Sequence, residues 1–357
     1  MSKSLDILVL GAAYGLLPAV RMCLGGHRVT IVCRADEREA LDLHGASVTL
    51  QRRDGRQGRT LRAPASPGPC NREGVLGLVG TDISADGFDM VFLVMGEPQY
   101  ADRAVANLMA KIADRGVPTV SLMNLLPACF LRRPGWFNVD VDALRPAYAA
   151  WDVWQGFDPT RFTAASPDAQ AVRTHPERTD MLTVTLASNF KVAPFHDPAD
   201  QAMLENVAKS TARIAPADPS APARIVVQDS LAVPLSKWPM LITGNCRCLH
   251  PDGSVTSIAS AVGDRMNESR EIYDHVARVA MAAGASRRDI VPFRAYAAAA
   301  RQLTRPSSLA RALANGAQQV ERVDLMILLA AEALDLRSGI LTEISHIIAR
   351  VLARNAS

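Results

Sequence analysis

Residues Asp6 to Arg34 read DILVLGAAYGLLPAVRMCLGGHRVTIVCR, and the order of residue types in this stretch decides the fold. Ile7 to Leu10 is a continuous apolar run, which suits a strand buried on both faces of a sheet. It is short for the apolar core of a signal sequence and stops at Gly11. Leu16 to Leu24 carries apolar residues nearly all round, as a helix packed on a sheet does, and Gly25-Gly26 closes it. Val29 to Cys33 is a second strand. The turn between the first strand and the helix is Gly11-Ala12-Ala13-Tyr14-Gly15, a degenerate form of G-x-G-x-x-G with Ala13 in the middle place. Small residues ahead of a helix N-terminus let backbone N–H groups approach a pyrophosphate. Arg34 follows the second strand directly. An acidic residue there would bind the adenosine ribose 2′-hydroxyl, whereas an arginine favours a 2′-phosphate. NADPH is therefore the expected cofactor, in preference to NADH.

Outward from this stretch the alternation continues. Asp36 to Gly45 reads as a helix, Asp89 to Met95 and Pro118 to Met123 as buried strands, and Tyr100 to Arg115 as the helix between them. Strands alternating with helices predict a parallel, doubly wound sheet. Arg132 to Asp180 is rich in proline and aromatic residues and has no clear period. Leu182 to Leu186 and Ala223 to Val227 read as strands near the end of this domain, separated by a proline-rich turn stretch over 215–222. From Ser236 onward long helices take over. Ile272, Val276 and Val279/Ala280 share one face, as do Ile340/Leu341, Ile344, Ile347/Ile348 and Val351/Leu352. The expected architecture is α/β: a Rossmann-like NADP-binding domain with insertions over 1–228, then an all-helical substrate and dimerisation domain over 229–357.

Composition narrows the function classes. Apolar residues make up 48% and charged residues 21% of 357, and 39 basic against 36 acidic residues give +3. That balance gives no footprint for nucleic acid or an anionic membrane surface, and no apolar stretch reaches membrane-spanning length. The expected partners are a small-molecule substrate and a second copy of the chain. Six scattered cysteines suit buried thiols in a reducing cytoplasm. Cys246-x-Cys248-x-His250 has no second Cys/His pair at zinc-site spacing, so no metal is expected.

Four segments in order resemble the ketopantoate reductase family. They are GAAYGLLPAVRMCLGGHRVTIVCR, TVSLMNLLP, LSKWPMLITGN from Leu235 to Asn245, and RPSSLARALANGAQQVERVD from Arg305 to Asp324. The resemblance spans almost the whole chain, with extra residues mostly between Arg132 and Ala223. It implies NADPH-dependent reduction of a 2-oxo acid in a cleft between a Rossmann domain and a helical domain. In the family a lysine on the first helix of the second domain donates the proton. An asparagine after a Rossmann strand positions cofactor and substrate, and a serine and a glutamate hold the substrate. Transferred position by position, Asn124 matches the asparagine, Ser307 or Ser308 the serine, and Glu321 the glutamate with one residue inserted. Asn245 ends the segment that resembles the family's Trp-x-Lys-Leu-x-x-Asn and is a further substrate-binding candidate.

Three positions depart from the family. Its cofactor-side lysine falls on Gly96, the aspartate of its Pro-Ser segment on Ala312, and its proton-donating lysine on Met240. Lys237 is the replacement donor the sequence offers, nearly one turn before Met240 and eight residues from Asn245, on one face if the helix is regular. His196 and Tyr14 are weaker candidates. Two further functions compete with a carbonyl or imine reductase. One is an opine-type dehydrogenase, for which Asp274-His275 would be the pair to examine. The other is a sensor that keeps the nucleotide and has lost the chemistry.

Overall fold

The computed structural model describes residues 3–51, 58–66, 74–79, 81, 83–167, 170–186, 188–214 and 223–357. The proline-rich stretch 215–222 and Cys70 lie outside them. The chain forms two compact units. The first holds Met1–Met95, Gln99–Phe130 and Asp152–Asp229; the second holds Gly96–Pro98, Leu131–Trp151 and Ser230–Ser357.

Among the described residues the first unit has the strands β1 (Asp6–Leu10), β2 (Arg28–Cys33), β3 (Ala46–Leu50), β4 (Thr60–Ala63), β5 (Val75–Val79), β6 (Met90–Leu93), β7 (Thr119–Ser121), β8 (Phe162–Ser166), β9 (Gln170–Val172), β10 (Met181–Leu186), β11 (Phe190–Val192) and β12 (Ile225–Val227). Eight form one sheet in the order β12-β11-β8-β7-β6-β1-β2-β5. All pairs in it are parallel except β11 against β8. The order reverses at β1, where the chain crosses to β6, and this is the switch point of a doubly wound sheet. Its central strands are fully buried, as their unbroken apolar runs require: Ile7 to Leu10 and Met90 to Leu93 are wholly inaccessible. The helices of this unit are α1 (Leu16–Leu24), α2 (Ala35–His44), α3 (Arg103–Asp114), α4 (Ala128–Leu131, at the edge of the unit), α5 (Trp151–Trp154) and α6 (Pro198–Ala212).

Two features of this unit depart from the sequence reading. The strand expected over Leu182–Leu186 forms, but it belongs to a separate four-stranded sheet, β4-β3-β10-β9. That sheet covers α1, which is why α1 is apolar all round: the large sheet lies on one side, β3 and β4 on another, and α6 beside it. Phe162 to Ser166 (FTAAS) supplies a central strand from a region with no visible period. Its small residues are all buried, so no alternation marked it.

The second unit is helical: α7 (Trp238–Met240), α8 (Ile258–Gly263), α9 (Met266–Ala282), α10 (Phe293–Ala300), α11 (Ser308–Ala314), α12 (Val323–Ala333) and α13 (Gly339–Ala356). Helices α9, α12 and α13 bury the faces set by their spacing, with Ile272, Val276, Val279, Ile327, Ile348 and Val351 at 3% exposure or less. A single boundary at residue 228 misses two pieces of this unit. Residues 131–151 pack here because Asn138 donates from its backbone to Ala283 O and from Nδ2 to Ala282 O, satisfying carbonyls at the end of α9. Residues 96–98 pack here because the Glu97 carboxylate, fully buried, accepts the backbone N–H groups of Ala149 (3.0 Å) and Ala150 (2.8 Å).

Candidate functional site

In the first unit the turn after β1 is closed by two glycines. Gly11 has φ +106°, a backbone state that disfavours side chains, and its N–H donates to Val32 O at 3.0 Å. A Cβ on Gly11 would stand 2.6 Å from Met95 Cγ, and one on Gly15 would stand 2.0 Å from Gly11 O. The loop is therefore too tight for a side chain at either glycine. Ala12 is buried, Ala13 is exposed, and Tyr14 meets the ring of Phe190 edge-on at 6.0 Å. No acidic residue stands in the first turn of α1 to oppose an anion there. This is a cradle of the kind a dinucleotide pyrophosphate needs, and it sits at the switch point of the sheet.

Arg34 lies at the end of the adjacent strand and is the N-cap of α2. Its exposed guanidinium pairs with Asp36 at 3.1 Å and approaches Glu37 at 3.4 Å. Its pKa is raised, first by the hydrogen bond to Asp36. Glu37, buried, accepts the Arg34 N–H (3.0 Å) and Arg173 Nη2 (2.6 Å). Arg173 comes from the segment after β9, and sequence reasoning missed it because nothing near it marks its distance from Arg34. Asn124 lies in a bend just beyond β7 and is half-buried. The Gly11–Gly15 turn, Arg34 and Asn124 thus lie along the carboxyl ends of β1, β2 and β7, the edge at which open α/β sheets bind ligands. Ser121, the last residue of β7, was also missed. Among the described residues its buried hydroxyl has no hydrogen-bond partner, so a bound group at that edge would complete it.

In the second unit the expected regular helix from Ser236 does not form. A 3₁₀ turn over Val233–Lys237 leads into α7, then a π turn over Leu241–Asn245 and a 3₁₀ turn over Cys246–Cys248. Tyr296 is the cause. Its hydroxyl donates to Met240 O at 3.2 Å, and a Cβ on Gly244 would stand 2.0 Å from that oxygen. The inserted hydroxyl takes the carbonyl that Gly244 N–H would use in an α-helix, and the ladder shifts so that Cys246 N–H reaches Leu241 O. The same-face argument therefore fails for Asn245, since the π turn changes its phase against Lys237 and Met240, which both precede that turn. Lys237 is half-buried at the end of its 3₁₀ turn.

Ser307 is the N-cap of α11. Its hydroxyl donates to Asn245 O at 2.7 Å and accepts Ala310 N–H at 3.1 Å, so it ties α11 to the end of the π turn. Ser308 is exposed. Glu321 is half-buried and accepts the Glu97 N–H at 3.4 Å; Gly96 precedes that residue directly. His275 Nε2 donates to Leu336 O at 3.1 Å, and burial lowers its pKa, which makes it a structural group rather than half of a His/Asp pair. His196 is exposed. Cys246 and Cys248 are buried thiols pushed up by burial, Cys248 donating to Gly244 O at 3.1 Å. Among the described residues no group of three or more His, Cys, Asp or Glu could hold a metal ion, and no helix is long and apolar enough to cross a membrane.

No protein-family model and no curated protein sequence matches the chain. Solved structures do. A putative ketopantoate reductase from Ralstonia solanacearum MolK2 superposes with a TM-score of 0.70 at 14% identity, over 99% of this chain and 99% of that one. The fold is that of the ketopantoate reductases. A ternary complex of D-mandelate dehydrogenase with NADH and anilino(oxo)acetate gives 0.66 at 12% identity, over 99% and 100%. A glycerol-3-phosphate dehydrogenase from Coxiella burnetii gives 0.53 at 10% identity, over 99% of each chain. The Rossmann-like unit with a helical unit expected from the sequence is the architecture these proteins share.

Proposed function

We propose that this protein is a nicotinamide-dependent reductase of a small carbonyl or imine compound, with NADPH as the preferred cofactor. The observation that carries the reading is the Gly11–Gly15 turn, whose two glycines leave no room for a side chain beside the start of α1. The likeness to structures of D-mandelate dehydrogenase with NADH, one of them also with anilino(oxo)acetate, supports a nicotinamide cofactor. Gly11, Ala12, Ala13, Tyr14 and Gly15 would hold the pyrophosphate, with Gly96 and Asn124 as further cofactor contacts. Arg34 would leave Asp36 for the 2′-phosphate, an exchange that costs little because exposed ion pairs contribute about 0–1 kcal/mol. Bound nicotinamide would supply the hydride.

What the chain itself must supply is a proton and a grip on the substrate. Met240 has no proton to give. Lys237 is the proposed donor to the alkoxide or amine formed, and its ammonium would also attract a substrate carboxylate. Asn124 and Asn245 would orient the carbonyl. Of the two serines, Ser308 is the proposed ligand contact, because it is exposed, whereas Ser307 is buried and its hydroxyl already donates to Asn245 O and accepts Ala310 N–H. Glu321 is the proposed acceptor for a substrate hydroxyl or amine. The proposed setting is cytoplasmic, and the proposed assembly a homodimer. The experiment is NADPH oxidation followed at its absorbance band across a panel of 2-oxo acids, with and without amines. Turnover of a 2-oxo acid alone supports the reductase. Turnover only with an amine present makes the enzyme opine-type, and NADPH binding with no turnover of any pair leaves the sensor.

A further inference from the structure

Arg21 lies in the last turn of α1, away from the nucleotide turn, and is 1% exposed. Among the described residues none of its three guanidinium nitrogens has a hydrogen-bond partner. Its place on the helix says what it faces. Tyr14, Pro18, Arg21 and Gly25 recur at helical spacing; Tyr14 meets Phe190 of β11, and Gly25 lies against Ser210 of α6. Arg21 is thus on the flank of α1 turned toward α6 and the β11–β12 edge. The two charges that act on it, Arg224 and Arg59, are of its own sign. Arg224 precedes β12, and Arg59 precedes β4 and donates to Ile214 O beyond the end of α6 at 3.4 Å.

Burial and repulsion from Arg224 and Arg59 lower the Arg21 pKa to about 10, which still leaves it a cation at neutral pH. A buried charge is ordinarily matched by an opposite one, because leaving it unmatched costs several kcal/mol. An apolar residue would fill the same space without that cost, so the arginine has to be explained.

We propose that Arg21, with Arg59 and Arg224 beside it, forms a binding site for a doubly charged oxyanion of the phosphate type, separate from the nucleotide turn. Three guanidinium groups can supply several N–H donors to one such group, and a dianion offsets them better than a single carboxylate. The phosphate could be free or borne by a small metabolite.

The test is thermal unfolding of the full chain in sodium phosphate, in acetate and in chloride at equal ionic strength. Native protein and Arg34→Ala should both be stabilised by phosphate beyond the other two salts. Arg21→Met should show no phosphate-specific gain and should be the more stable form in chloride. If Arg21→Met does not fold, Arg59→Gln serves: the residue is exposed, and its loss should weaken the phosphate effect about tenfold in apparent Kd. A hexose monophosphate separates the sources: stabilisation by it places the phosphate on a metabolite, whereas a response to inorganic phosphate alone means a closed pocket. Phosphate no better than chloride for the native protein would overturn the proposal. So would an undiminished phosphate effect in Arg21→Met, or in Arg59→Gln where that variant is the one that folds.

Discussion

Gly15 and Arg34 are where single residues carry the cofactor proposal. Gly15→Ala would place a methyl 2.0 Å from Gly11 O, so the turn must open; a loss of about 1–3 kcal/mol in stability is expected, with NADPH binding lost by calorimetry. Arg34→Ala should weaken NADPH by about 1.5–3 kcal/mol and leave NADH nearly unchanged; equal losses for both cofactors would remove the 2′-phosphate role. His27 shows how one buried residue sets a pH limit. Its Nδ1 accepts Leu5 N–H at 3.2 Å, so Nε2 carries the proton and donates to Ser210 at 2.7 Å. Protonating Nδ1 would turn that acceptor against a donor, and burial lowers the folded pKa below 6.5. The unfolded chain therefore takes up the proton first, and stability present above 6.5 is lost as pH falls toward the folded value. His27→Gln should flatten this acid limb in urea titrations run across pH.

At the scale of elements, the irregular stretch from Val233 to Cys248 is the informative one. A π turn inside a helix often marks a functional site, and here it is fixed from another helix by Tyr296 and from α11 by Ser307. Tyr296→Phe removes the inserted hydroxyl and lets the ladder relax toward regular α. The expected result is a folded protein with kcat reduced more than NADPH affinity, read by steady-state kinetics beside calorimetry. Lys237→Met should abolish turnover of the true substrate, in line with the ~10²–10⁴-fold worth of general acid catalysis, and leave NADPH affinity intact. Full activity in that variant would pass the proton to another group.

For the whole molecule, the fold is shared with a putative ketopantoate reductase at 14% identity. The resemblance in sequence implies that Gly96, Met240 and Ala312 fall where that family has charged groups. Ketopantoate is therefore expected to be a poor substrate, because a donor at Lys237 approaches a carbonyl from a different place than one at Met240. Reduction of ketopantoate at a rate normal for metabolic enzymes, measured with NADPH in excess, would show that the proton route does not depend on that position.

The sequence by itself determined the doubly wound sheet, since strands buried on both faces must be apolar throughout and helices between them must carry the crossover. It also determined the tight turn after β1, because Gly11 and Gly15 are local backbone requirements. Only the tertiary structure decided where the less regular parts go. FTAAS became a central strand through its pairing with β7 and β11. Residues 131–151 joined the helical unit through Asn138 and Glu97, contacts made across 144 and 52 positions of chain. The phase of Asn245 against Lys237 was set by a hydroxyl 56 residues from Met240. Arg34 looked like an unencumbered cation and is held by Asp36 and Glu37. Periodicity reports which face of an element is buried; it carries no information about a side chain that arrives from elsewhere and takes a backbone carbonyl.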